Sequence, residues 1–348
     1  MSQLSSRRGF FRSFRKAAAL AAAGAAGAGA VRGTAFSQGS LSLPLPSSSM
    51  ARSGEGYLNP QKVLLWESTR KEMREALESG RVKAAIVPTG STEQHNEHLA
   101  LICDTACATL ISQQAALKLY PQVTVSTPCP LGYAPYHMAR KGTLTLRKET
   151  FLAYVYDVLA SLKTHGISTI LVVNGHNGNH TLLRDNLVEW RKKLGLILDS
   201  ETYISAYTDD ELAKFLDSYR LLKEGKLDTI ARKTGMSHAS EVETSILLAA
   251  YPERVRSFTM EEYDRAKLDY ESNLSPEVME YLGPFTKEGW PKGPNPENAR
   301  DRARQEQALL ATREKGERLI TIATDFIAGK VARMIEAAEK GRPGPPAN

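Results

Sequence analysis

The amino-acid sequence predicts an α/β fold, a layered α/β/α sandwich around a mostly parallel sheet. Three observations carry this expectation. Short, uninterrupted apolar runs recur between segments of helical period, as strands buried on both faces of a parallel sheet require. The polar clusters of the chain follow those runs, at the positions where an open α/β sheet gathers its ligands. No repeat of fixed period competes with this reading.

Taken in order, residues 68–79 form a charged amphipathic helix and residues 83–88 an apolar strand that stops at Thr89-Gly90. A helix is expected over 105–120 and a strand over 123–127. Residues 150–164 read as a helix closed by Gly166, and residues 168–173 as a fully apolar strand breaking at Asn174-Gly175. A helix then runs through Lys193, and residues 196–207 give the next strand region. Residues 257–304, charged and interrupted by Pro and Gly, read as an insertion before one long final helix over 305–340.

Residues 1–37 precede this pattern and have the order of a removable targeting peptide. Ser-Arg-Arg-Gly-Phe-Phe, with Arg7 and Arg8, resembles a bacterial twin-arginine export signal, and a weakly apolar Ala/Gly stretch leads to small residues near Ala35-Phe36-Ser37. The stretch is short of the roughly 20 strongly apolar residues of a membrane span, so no stable span is expected after processing. The protein is therefore expected in the periplasm or otherwise exported. Residues 38–60, rich in Ser, Pro and Gly, read as a linker, residues 61–340 as the folded domain and residues 341–348 as a tail.

Charge points the same way. The 348 residues hold 45 Lys+Arg against 39 Asp+Glu. Six of the bases, Arg7, Arg8, Arg12, Arg15, Lys16 and Arg32, fall in residues 1–37, which hold no acid, leaving 39 against 39. That balance removes the global case for a nucleic-acid partner. Cys103, Cys107 and Cys129 are odd in number and imply no disulfide framework; buried thiols are expected.

Chemistry concentrates in three clusters. The loop after the first strand reads Gly90-Ser-Thr-Glu93-Gln-His95-Asn-Glu-His98, followed by Asp104. Glu93 and His95 are two apart, so on extended backbone they share a face. Mixed imidazole and carboxylate donors suit Zn²⁺, Mn²⁺ or Fe²⁺ better than Ca²⁺ or Mg²⁺. Asn174-Gly-His176-Asn-Gly-Asn179-His180 follows the apolar strand, where Asn179 also suits a helix cap. Ser237-His238-Ala-Ser240-Glu241-Val-Glu243 opens an apolar helix, and Ser240 with Glu243 has the spacing of a capping box. Six of the seven histidines lie in these clusters or at His137, and a helix end accounts for His165.

These motifs carry a resemblance to the creatininase family of metal-dependent amidohydrolases over residues 64–335. GSTEQHNEHLALICD is similar to the family's G-S-x-E-Q-H-G-P-H-L-P-L-x-T-D, NGHNGN to N-G-H-G-G-N, and HASEVETS to H-A-G-E-x-E-T-S. GYAPYHMARKGT resembles G-x-S-x-x-H-x-x-F-P-G-T with His137 in register, and residues 311–318 resemble a late A-x-x-E-K-G-E-R element. The resemblance implies two divalent ions per protomer, Zn²⁺ first, bridged by Asp104. It implies Glu93 and His176 at one ion and His95 with Glu241 at the other, some relatives placing a Glu where this chain has Gly178. It implies His238 as the proton-transfer residue, Glu243 as its orienting partner or merely a cap, and His98, His137 and Asn179 near the substrate.

The implied reaction is hydrolysis of a non-peptide or terminal C–N bond in a small-molecule amide by a metal-activated water. An amide nitrogen leaves only when protonated, which His238 is suited to provide near neutral pH. The family also implies a homo-oligomer, often a hexamer. Departures border the pocket: Asn96-Glu97 replaces Gly-Pro, Ala100 replaces Pro, Cys103 replaces Thr, and Ala134, Arg140 and Lys141 replace Ser, Phe and Pro. Creatinine-hydrolysing members carry Trp near the third motif, whereas this chain has only Trp66, Trp190 and Trp290. Creatinine is thus a weaker expectation than the reaction class. A formamide or a short peptide end is the alternative substrate, with Arg140 and Lys141 as a source of preference for anions. A non-catalytic exported metal-binding or interaction protein is the alternative of another class.

Overall fold

A computed structural model describes residues 63–138, 141–226, 238–262 and 299–341. The expected targeting peptide and linker, Arg140, most of the expected insertion and residues 342–348 of the expected tail lie outside the described residues.

Four strands, β1 (Ala84–Thr89), β2 (Val123–Val125), β3 (Thr169–Asn174) and β4 (Ile197–Thr202), form an all-parallel sheet in the order β2-β1-β3-β4. Every residue of β1 and β3 is buried, which is why both read as continuous apolar runs rather than alternating ones. Pro88 is tolerated in β1 because its missing N–H falls on the side where β2 has already ended at Val125; its carbonyl still accepts from Cys129 N at 2.8 Å.

Alternation along β1 divides the core. Ala84 and Ile86 join a cluster formed with helices α2 (Cys103–Lys118), α7 (Glu241–Ala250) and α9 (Arg313–Glu339). Ala85 and Val87 face a second cluster built from α3 (Lys148–Thr164) and α4 (Asn177–Leu194), including Phe151, Leu159 and Leu187. Helices therefore cover both faces, and the fold is an α/β/α sandwich. The helices α1 (Arg70–Glu78), α5 (Asp209–Leu212), α6 (Asp217–Lys223) and α8 (Ala299–Ala308) complete the described elements used below. Helix α1 starts with a full capping box between Thr69 and Glu72.

Two expectations are corrected. The final helix is not continuous over 305–340. It breaks after Ala308, and Thr312 starts α9 by accepting from Lys315 N at 3.3 Å. The strand over 196–207 ends at Thr202 and turns into a short 3₁₀ segment, Tyr203–Ala206. Packing of α9 on α7 depends on Gly316, where a Cβ would lie 1.8 Å from Ser245 O. Among the described residues no helix is long and apolar enough to cross a membrane.

The order of the strands locates the site. The chain leaves β1 toward β2 on one side, then returns to place β3 on the other. The loops after β1 and β3 diverge from neighbouring carboxyl ends, with Thr89 paired to Asn174. Such a switch point opens a crevice that nothing in the sheet itself fills.

Candidate metal centre

Loops and helix starts bring the side chains into that crevice. Glu93 and His95 lie on the loop after β1, and His176 is the N-cap position of α4. Asp104 and Glu243 sit in the first turns of α2 and α7, where the positive ends of the helices favour a carboxylate. The approach of α2 to the β3 loop requires Gly175, because a Cβ there would fall 2.2 Å from Asp104 O. All five side chains are buried.

Asp104 lies between two imidazoles. Its Oδ1 is 3.0 Å from His95 Nε2 and its Oδ2 is 3.0 Å from His176 Nδ1. Glu93 Oε2 stands 3.2 Å from His176 Nδ1, and Glu243 Oε2 stands 3.7 Å from His95 Nε2. The other nitrogen of each histidine is engaged by the backbone: His95 Nδ1 lies 3.1 Å from Glu93 O and His176 Nε2 lies 3.0 Å from Tyr133 O. Donation to those carbonyls fixes the tautomers and aims His95 Nε2 and His176 Nδ1 at the carboxylates, the usual support of a metal-ligating histidine.

Burial alone would push the His95 pKa down, but Asp104, Glu243 and Glu93 outweigh it and raise the pKa to about 10. His176 is raised for the same reason. Glu243 is pushed up to about 7 by burial and by the carboxylates beside it, against the pull of His95. Burial would raise the Asp104 pKa, yet the two imidazoles hold it below its ordinary value. Three carboxylates in one buried pocket are thus balanced by protons on imidazoles.

A divalent metal fits this donor set. Glu93 Oε2 and Asp104 Oδ2 are buried oxygens that share the single His176 Nδ1 as their polar neighbour and make no well-formed hydrogen bond, an arrangement that a cation between them would satisfy. Three groups of donor atoms among the described residues lie close enough to share an ion: Glu93, Asp104 and His176; His95, Cys103 and Glu243; and Glu93, His95 and His238. The Cys103 thiol is the weak member of the second group, because burial beside Cys107 raises its pKa and keeps it protonated. Among the described residues all three cysteines are free and buried.

The structure does not bring Glu241 to this cluster. Its carboxylate points the other way, accepting from Asp217 N at 3.2 Å and Ser218 N at 2.9 Å and pairing with Lys315 Nζ at 2.6 Å. Glu243 stands where Glu241 was expected. Nor does Glu243 close a capping box: the Ser240 side chain makes no cap bond, and Glu243 Oε2 accepts from Ala239 N at 2.5 Å. Asn179 and His98 also leave the substrate side. Asn179 is neither cap nor pocket wall; it accepts from Tyr133 N and donates to Gly90 O, each at 2.9 Å, clipping two loops together. His98 is buried between Thr244 Oγ1 at 2.9 Å and Gln305 Nε2 at 3.1 Å; burial, with the charge on His95, pushes its pKa down to about 3.

His238 and His137 face the centre, with His238 Nδ1 and His137 Nε2 each 3.4 Å from Glu93 Oε1. Burial and the neighbouring cationic groups push the His238 pKa well below its ordinary value, leaving a neutral imidazole. Gln94, which the motif reading passed over, connects the two. Its Nε2 lies 2.9 Å from His238 Nε2 and 2.9 Å from His137 Nδ1, while its Oε1 accepts from Asn96 N at 3.0 Å. Alternation along extended backbone would turn Gln94 away from its neighbours Glu93 and His95. It does not in this loop, and two residues further on Asn96 takes a φ of 53°. That left-handed conformation explains why Asn stands in place of the family's Gly, since Asn tolerates it best among the other residues. The second non-glycine residue with positive φ is Ala239, at 55°, next to His238. Among the described residues, strained backbone of this kind occurs only beside these two histidines.

A cleft of about 210 Å³ opens onto Glu93, Asp104, His137, His176, His238 and Glu243. Tyr136, Ile204 and Arg304 also line it. A larger groove of about 490 Å³ near Glu72, Arg81 and Tyr120 lies at the amino end of the sheet and contains no histidine. Chemistry, not size, selects the site.

Comparison with known proteins identifies the family and the fold. The family model Creatininase, described as creatinine amidohydrolase, matches residues 66–331. The chain is 30% identical over 198 residues to the 3-dehydro-scyllo-inosose hydrolase of Thermotoga maritima, covering 56% of this chain and 58% of that protein. It is 29% identical over 106 residues to the mycofactocin precursor peptide peptidase of Mycobacterium ulcerans, covering 28% of this chain and 42% of that protein. It is 24% identical over 202 residues to the creatinine amidohydrolase of Pseudomonas putida, covering 56% of this chain and 74% of that protein. The matches thus span little more than half of the first relative and less than half of the second. In fold, a solved structure described as "Creatininase Mn" superposes with a TM-score of 0.58 at 21% identity, covering 78% of this chain and 98% of the other. With the family model matching most of its length, this chain belongs to the creatininase family.

Proposed function

We propose that this chain is a metal-dependent amidohydrolase that cleaves a non-peptide or terminal C–N bond of a small substrate, using two divalent ions. The observation that carries this reading is Asp104, placed between His95 and His176 with one oxygen toward each. Glu93, Asp104 and His176 would hold one ion, and His95, Asp104 and Glu243 the other. Divalent ions, when bound, polarise an amide carbonyl and bring the pKa of water toward neutrality. Zn²⁺ is the first choice and Mn²⁺ or Fe²⁺ the alternatives, consistent with solved creatininases described as "Zn-Zn type" and "Creatininase Mn".

The chain's own residues then hold and move protons. Donation from Gln94 to His238 Nε2 places the imidazole proton on Nδ1, the nitrogen that faces Glu93 and the cleft. From Nδ1 the neutral imidazole would orient substrate by donating a hydrogen bond; the proton that a leaving nitrogen needs would come from the attacking water, passed on through a carboxylate of the centre. Burial around the centre excludes bulk water and strengthens each of these interactions. The creatinine amidohydrolase and peptidase relatives support cleavage of C–N bonds. A formamide or a short peptide end is the alternative substrate, and the inosose hydrolase relative adds a cyclic polyhydroxy ketone to any panel. Export by the twin-arginine route and assembly as a homo-oligomer, a hexamer in the fullest form, belong to the same proposal.

The test is bound metal per protomer, by elemental analysis after purification without chelators, in the full chain and in Asp104→Ala. We expect about two ions in the first, none in the variant, and the variant's turnover on an amide panel at background. Metal retained by an active Asp104→Ala protein would sink the proposal. Full metal with no turnover on any member would favour a non-catalytic metal-binding protein.

A further inference from the structure

We propose that Arg304 is the specificity-determining residue of this centre, receiving a carboxylate or similar anionic group of a small amide substrate. The inference rests on the hydrolase reading above and deepens it.

Among the described residues lining the cleft, Arg304 is the only Lys or Arg. It shares that wall with Glu93, Asp104 and Glu243 and lies close enough to His238 for its charge to act on the imidazole. Lys141, considered for this role from the sequence, is exposed and does not line the cleft.

The position of Arg304 is built rather than incidental. Its neighbours Ala303 and Gln305 on α8 are buried, and Gln305 Nε2 reaches His98 Nδ1 at 3.1 Å, fixing the helix against the loop that carries the metal-ligand candidates. Arg304 therefore projects from an anchored helix, which presents a side chain more precisely than a loop does.

The chemistry of the cleft then selects the ligand. Three carboxylates do not neutralise two divalent ions, so a centre loaded with both keeps positive charge that a substrate anion offsets. The planar guanidinium offers a pair of parallel N–H donors that match a carboxylate, a fit that Lys lacks. Tyr136 and Ile204 are the less polar walls against which the remainder of the substrate would lie.

The test uses the zinc-loaded full chain and two sets of hydroxamates as probes. Malonic, succinic and glutaric monohydroxamates carry a free carboxylate at graded distances from a zinc-binding head, and their neutral carboxamide counterparts lack the charge. Dissociation constants are read by calorimetry at low and moderate salt for wild type, Arg304→Gln and Arg304→Lys, with zinc content measured in each. We expect at least one carboxylate probe to bind wild type about tenfold more tightly than its neutral counterpart, a preference that shrinks with salt. Arg304→Gln should erase that preference while leaving zinc content and the neutral probe unchanged, and Arg304→Lys should retain part of it. Neutral and anionic probes binding wild type equally well would overturn the inference and leave the hydrolase reading intact. A preference that survives in Arg304→Gln would do the same. No zinc, or no binding of either probe type, would overturn the hydrolase reading and the assignment of Arg304 with it.

Discussion

Helix α7 starts with two carboxylates, Glu241 and Glu243, that are both buried and end in opposite surroundings. Glu241 is fully provided for by its own chain: two backbone N–H groups at the start of α6, the Ser218 hydroxyl and the ammonium of Lys315, which also reaches Asp217 Oδ2 at 2.7 Å and Leu310 O at 2.6 Å. Glu243 faces Asp104, Glu93 and the imidazole of His95, a cluster in which protons on imidazoles supply countercharge and two carboxylate oxygens share a single His176 nitrogen. A lysine cannot be displaced by a metal ion, whereas a proton on an imidazole can. The difference teaches that burial and charge alone do not mark a metal ligand. What marks it is a countercharge that can leave.

The strongest way to break this contrast is to neutralise each carboxylate in turn. Glu243→Gln should lower the affinity for one of the two ions by about a hundredfold or more, measured as metal per protomer after dialysis. Glu241→Gln should keep full metal content. The reverse pattern would return Glu241 to the centre and refute the placement described above. The next largest effect is on stability. Lys315→Met leaves Glu241 buried with one less partner, and should cost about 3 kcal/mol in denaturant unfolding of the metal-loaded protein, with metal stoichiometry preserved. A change below measurement error would show that the ion pair contributes nothing net.

The smallest effect sharpens the comparison from the side of the protons. Metal-free protein at pH 7 holds a proton on His95, whose pKa is raised to about 10, and on His176, which is raised likewise. A ligating imidazole is neutral, so loading with Zn²⁺ should release about two protons, with a further fraction from Glu243, whose pKa is about 7. The sign follows: metal affinity rises with pH as these protons become easier to remove, and falls as the solution is acidified. Calorimetric titration in buffers of different ionisation enthalpy counts the protons. Release of none would mean that protons do not balance the cluster.

The residues by themselves determined much of this. Continuous apolar runs at 83–88 and 168–173 can be stable only in a sheet covered on both faces, so the α/β class and the site at the strand ends were legible. Glu93, His95, Asp104, His176 and His238 were legible as chemistry-bearing residues because the loops holding them combine imidazoles and carboxylates to a degree that turns do not need. Tertiary structure decided the rest. Positions 241 and 243 differ by about 200° around a helix, so they face opposite sides, and nothing local says which side meets the centre. Asn179 and His98 had the composition of site residues, but what they touch depends on loops far away in the chain. Gln94 turns inward to meet two histidines from distant segments, and Arg304 enters the cleft from a helix about two hundred residues downstream of that loop. Sequence spacing fixes which side chains a short segment can place together; which distant segments meet, and which face of a helix they meet, is set by the packing of the whole core.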